Sequence, residues 1–197
     1  MAHNPYSLSF TTGTLMLTET LLLTEHYLAL GSWQKVREQV KQSNLLQGKT
    51  MKSTSTLASE IISRVRLLSD DQLQYLIQAQ EKDQCYVVWL ALCRRYQFIA
   101  DFTVEVMGSA LQTPEKTVTR PDYQAFFDQK AAFYPRLQTL SESTKKTVAS
   151  FIFRMAEQAG LVDNSGKLLP IILLPGNRLF FDELSSLERR YFPGLEV

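Results

Sequence analysis

The stretch CYVVWLALCRRYQFIADFTVEVM, residues 85–107, decides the fold. Its first nine residues are all apolar, so a helix formed here has no polar face and must be enclosed by protein. A membrane span needs roughly 20 such residues, and Arg94 and Arg95 end the run long before that. The block is therefore read as a buried core helix with no membrane span. Beyond the arginine pair, Phe98, Phe102 and Val106 recur every fourth residue, which continues the helix with a single apolar face.

Working outward, both flanks read as amphipathic helices. At 197 residues and 45% hydrophobic content, the chain can bury a substantial core in one domain or two small ones. The net charge of +1 conceals an asymmetry. Residues 33–66 carry seven Lys or Arg against two Glu, whereas residues 69–83 carry four acids against one Lys. Any contact with nucleic acid must then be local. Cys85 and Cys93 are about 12 Å apart along a helix, too far for a disulfide. Two thiols and an N-terminus without a basic, then apolar, export signal lead to the expectation of a cytoplasmic protein.

On the N-terminal side, helices are expected over residues 15–30 and 33–43, with Gly31 stopping the first and Ser32 capping the second. In the second, Trp33, Val36 and Val40 face inward while Lys35, Arg37 and Lys41 face out. A turn through residues 44–48 leads to a third helix over residues 54–68, with Leu57, Ile61, Val65 and Leu68 inward. Two helices joined by a short Gly-containing turn form a helix-turn-helix-like unit. Its third helix opens on KTMKSTST, residues 49–56. Lys49, Lys52, Ser53, Thr54 and Ser55 there place cations and hydroxyls beside unpaired helix N–H groups, the chemistry of a phosphate site. A second reading is structural: Ser53 or Ser55 caps the helix and the lysines form a solvated face.

On the C-terminal side, a helix is expected from Ser69 to about residue 80, and residues 108–120 read as a loop between two halves, 1–110 and 111–197. Pro121 and Asp122 open a helix carrying Phe126 and Phe127 inward. Ser141 or Ser143 caps a helix that ends at Gly160. Two apolar runs around Asp163, Asn164, Ser165 and Gly166 then read as one short β-hairpin. This is a winged-helix-like unit, in which Lys145 and Lys146, with Arg154, would meet DNA and Lys167 would sit on the wing. The alternative is that the hairpin only covers the core. A last helix is expected over residues 182–191.

Catalytic chemistry finds little support. The Gly160–Lys167 spacing breaks the phosphate-loop pattern and Leu168 replaces its hydroxyl. His3 and His26 have no ligand or triad partner at useful spacing, so no metal, no cofactor and no enzyme activity are expected. Glu19, Glu25, Asp101 and Glu105 read as solvated or ion-paired carboxylates.

TTGTLML, LGSWQKVREQVKQSNLLQGKT, WLALCRRYQFIADF and LSESTKKTVASFIFRMAEQAGLVDNSGKL occur in this order over nearly the whole chain. In these segments the sequence resembles the BrxA family, accessory proteins of BREX bacteriophage-defence systems. The resemblance implies a mainly α helical bundle with a NusB-like core, binding of double-stranded DNA, and action beside a methyltransferase, an ATPase and other BREX components. It supplies no individual DNA-contacting residues, which rest on the local reading alone. A competing expectation is a scaffold that binds other defence proteins without touching DNA.

Overall fold

The computed structural model describes residues 6–195. Residues 1–5, His3 and the start of the supposed signal-free N-terminus among them, lie outside the described residues. The protein is mainly helical and forms two compact units. One is Leu15–Arg95; the other joins the residues up to Thr14 with those from Tyr96 onward. The expected boundary at 110/111 falls inside the second unit. The helical run from residue 97 continues through 108–110, the non-helical stretch expected at 108–120 is confined to 111–119, and within it Thr117 pairs with Lys167.

The Leu15–Arg95 unit is built on α5 (Glu81–Arg95). From Tyr86 to Cys93 every residue is at most 2% exposed, as the unbroken apolar run requires. Around it pack α1 (Leu17–Leu30), α3 (Met51–Val65) and α4 (Asp70–Gln78). Gly31 ends α1 at φ +65°, a conformation that costs glycine little. Ser32 then caps α2 (Trp33–Ser43), whose Val36 and Val40 are buried against Leu23, Ala58, Ile61 and Ile62. Trp33 stacks on Tyr27 at 4.1 Å, and the His26 ring nitrogen Nδ1 meets Gln39 Oε1 at 2.8 Å, so His26 ties α1 to α2. Ser69 and Gln72 form the expected capping box of α4. Arg94 donates to Leu67 O at 2.8 Å and to Gln72 Oε1 at 2.7 Å, closing the α3–α4 turn.

The core stretch is not one helix. Tyr96 adopts an extended conformation (φ −125°, ψ 97°), ends α5 and starts the second unit. Its ring is buried edge-on to Phe10 at 5.2 Å. There α6 (Gln97–Asp101) runs into a π-helical segment, Phe102–Met107, and a final turn, α7 (Gly108–Ala110). The wider π turn replaces the expected fourth-residue repeat: Phe102, Thr103 and Met107 are buried and Val106 is only half-buried. Tyr6 donates to Asp101, which with Glu105 also faces Lys130 at 3.6 and 2.6 Å, so these two carboxylates are ion-paired.

Next come α8 (Arg120–Phe133), with a Thr119–Asp122 capping box, α9 (Pro135–Gln138) and α10 (Glu142–Gln158), capped by Ser141. Phe98, Phe102, Tyr123, Phe126 and Phe127 form a cluster of edge-to-face rings between α6 and α8. After Gly160 the chain makes a tight turn with a Val162–Leu168 antiparallel bridge, and Thr117 adds a third short segment against Lys167. Gly166 (φ +86°) is required, since a Cβ there would lie 2.4 Å from Val118 O. The expected last helix, 182–191, is only the short α12 (Ser186–Arg189), and an unexpected helix, α11 (Pro175–Asp182), precedes it. Glu183 ends α11, and Ser185 caps α12 through Glu188. No described helix is long and apolar enough to cross a membrane.

Candidate nucleic-acid interface

The corner between α2 and α3 is fixed by three residues. Asn44, at φ +48°, ends α2 and offers its side-chain oxygen to the Thr54 hydroxyl at 3.3 Å and its amide to Gly48 O at 3.3 Å. Gly48 passes so close to Thr54 that a Cβ would sit 2.1 Å from the hydroxyl oxygen. The first turn of α3 is thereby held on the C-terminus of α2. The cap is Thr50 rather than Ser53 or Ser55, and α3 starts three residues earlier than expected. Thr50 accepts from Ser53 N at 3.1 Å, while Ser53 Oγ accepts from Thr50 N at 3.3 Å.

These bonds sort the predicted contact residues. Thr54 is 1% exposed and faces the core, so it is withdrawn from the surface. Ser53 is exposed but serves the cap, and Ser55 is half-buried. Lys49 and Lys52 are exposed, and neither makes an ion pair among the described residues. Arg37 and Lys41, one helical turn apart, share one flank of α2, and Lys41 lies just before the corner. Lys35 lies about 120° round the helix from Lys41 and on the side opposite Arg37, from which two residues correspond to about 200° of rotation. The structure thus brings Lys41, Lys49 and Lys52 toward one corner and leaves Lys35 apart.

In the other unit the predicted pair separates. Lys145 turns inward, 2.7 Å from Glu142 and over the Phe127 ring at 5.6 Å, whereas Lys146 is exposed. Lys167 lies on the hairpin, where the Asp163 carboxylate accepts from Ser165 Oγ at 2.6 Å, Ser165 N at 2.8 Å and Lys167 N at 3.0 Å. The Ser165 hydroxyl first, then the Lys167 N–H, holds that carboxyl below its usual range. A groove of about 490 Å³ runs between α10 and the hairpin, with Arg120 and Arg154 on its walls. Arg120 lies over the Phe153 ring at 4.4 Å.

Comparison with known proteins is decisive on kinship. The family model of BrxA matches residues 4–184. The chain belongs to the BrxA family. A relative named BREX protein BrxA, from Escherichia coli O9:H4 (strain HS), is 21% identical over 176 residues, spanning 88% of this chain and 83% of the relative. The crystal structure of an uncharacterized protein from Magnetospirillum magneticum has the same fold, with a TM-score of 0.81 at 15% identity, covering 96% of this chain and 99% of that one.

In this BrxA-family chain the outward face of α3 was missed by reading only its first turn. Lys52, Thr56 and Ser59 are all exposed and lie opposite the buried Thr54, Ala58 and Ile61. Counting four and seven residues on from Lys52 would have found them. Arg120 was missed because nothing local links it to Phe153. Among the described residues no cluster of three or more His, Cys, Asp or Glu could hold a metal ion.

Proposed function

We propose that this protein is a double-stranded-DNA-binding accessory component of a BREX bacteriophage-defence system, working with other BREX components. The observation that carries the reading is the start of α3. Lys49 and Lys52 make no ion pair among the described residues and stand at a helix N-terminus, Lys41 precedes the same corner, and the outward face beyond holds short hydroxyls at Thr56 and Ser59 with no acid between. Phosphates fit the cations, and small side chains let the helix approach a groove. The C-terminal unit supports a second contact through its order of elements. A helix, a short segment at Thr117, the three helices α8, α9 and α10 and a turn whose Lys167 side pairs with that segment resemble the winged-helix order apart from the additional short α9. Lys146, Arg154 and Lys167 are the exposed cations of this unit that such a contact would use. Gel shifts of random duplex at increasing salt test the reading. With about six phosphate contacts, log affinity should fall against log salt with a slope near −5. A slope shallower than about −2 overturns the electrostatic account.

One observation favours an additional protein contact. Ile172, Leu174, Leu179 and Leu187 are 55–69% exposed within one C-terminal segment, and apolar surface of that kind is typical of interaction sites.

A further inference from the structure

On α1 polar and apolar residues are distributed against the usual rule. Its core side joins two threonines to Leu23: Thr20 is 1% and Thr24 0% exposed, and the Thr24 hydroxyl donates back to Thr20 O at 2.8 Å within the helix. The adjoining arc, about 140° wide, carries Leu17, Leu21 and Leu22, all half-buried. A helix apolar beyond its core side is ordinarily surrounded by protein. The packing of α1 on α2, α3, α4 and α5 leaves this second arc half covered. The core makes no demand for leucine there, so the arc has the composition of a contact surface.

The three leucines form the floor of a groove of about 480 Å³ between α1 and the first turn of α5. Its rims carry Glu25 from α1 and Glu81 from α5, both exposed. Neither carboxylate makes an ion pair, and no Lys or Arg lines the groove, among the described residues. An apolar floor between two negative rims selects the occupant. Duplex phosphates are repelled, and a purely apolar cover would desolvate both carboxylates without a counter-charge. A helix with apolar anchors three and four residues apart and Lys or Arg beside them matches floor and rims together.

We propose that the groove between α1 and α5 docks a basic amphipathic helix of a partner protein, its apolar anchors on Leu17, Leu21 and Leu22 and its cations against Glu25 and Glu81. This site does not rest on the duplex contact at α3. Titration of the full chain into a labelled synthetic helix of about 15 residues, with leucines three and four apart and lysine elsewhere, tests it. Binding should be micromolar, and at least about tenfold weaker for a twin with glutamate in place of lysine and for an isomer of shuffled order. In amide NMR spectra the lysine peptide should perturb residues 17–25 and 81–84. Leu21→Asn should weaken it at least about tenfold at low and at high salt. Glu25→Gln with Glu81→Gln, at exposed positions that leave the melting temperature in place, should weaken it about tenfold at low salt and little at high salt. Absence of binding at millimolar concentration, equal binding of the glutamate twin, or binding that both variants leave unchanged overturns the proposal. So does a mass that rises with concentration for the chain alone and returns to monomer in Leu21→Asn, which would assign the groove to a second copy. Duplex gel shifts of Leu21→Asn should match wild type, so a failure here is separable from a failure of the DNA reading.

Discussion

At the start of α3, Lys49 and Lys52 are exposed and make no ion pair among the described residues, whereas at the start of α10 Lys145 is drawn to Glu142 three residues earlier and laid over Phe127. The two segments looked alike in sequence, each a capped helix with two lysines in its opening turns. What separates them is the neighbour one helical turn away. Lys52 has Lys49 before it and Thr56 after it, so repulsion and solvation keep its charge outward. Availability of a cation is set by its i−3 and i+4 positions more than by its own identity.

The largest expected effect concerns the support beneath the first corner. α3 packs on α5, and Trp89 is fully buried in α5. Trp89→Ala should cost about 3–5 kcal/mol and take the α3 corner with it. A thermal melt with an unchanged midpoint would show that the corner does not depend on this helix. Gly48→Ala should cost about 1–3 kcal/mol, because the new Cβ meets the buried, β-branched Thr54. Adding Thr54→Ala should recover part of that loss in the same denaturation assay, and no recovery would mean that the close approach is not what holds the turn. The smallest effect sharpens the contrast directly. Lys49→Ala with Lys52→Ala should leave stability intact and lower the salt slope of duplex binding by about two units. Lys145→Ala with Lys146→Ala should lower it by about one, since Lys145 is already held by Glu142. The opposite ranking in gel shifts would make the C-terminal unit the principal contact.

Much of the fold was legible because hydrophobic periodicity is strong in the helices. The apolar run 86–93, the inward faces of α2 and α10, and the caps at Ser32, Ser69 and Ser141 all stand where the sequence puts them. The failures have local causes. Thr50 was overlooked as a cap because its partner three residues on is Ser53 rather than Glu or Gln. The break at Tyr96 carries no Gly or Pro; it is made by a ring that packs on Phe10, far away in sequence. The last helix starts four residues later than expected because Ser185, not a residue near 182, caps it. Of the candidate contacts, the exposed lysines could be read from spacing. The inward turns of Thr54 and Lys145 could not, because Asn44 and Phe127 lie on other elements.

The π-helical segment Phe102–Met107 also links chain length to helix type. Deleting one residue from it would leave an ordinary helix, because the wider turn takes up the extra residue without changing the register of what lies beyond. Relatives with and without this extra residue would therefore align poorly by letters here while superposing well in space. A gap placed between residues 102 and 107 would then mark a change of helix type, with the path of the backbone preserved on both sides.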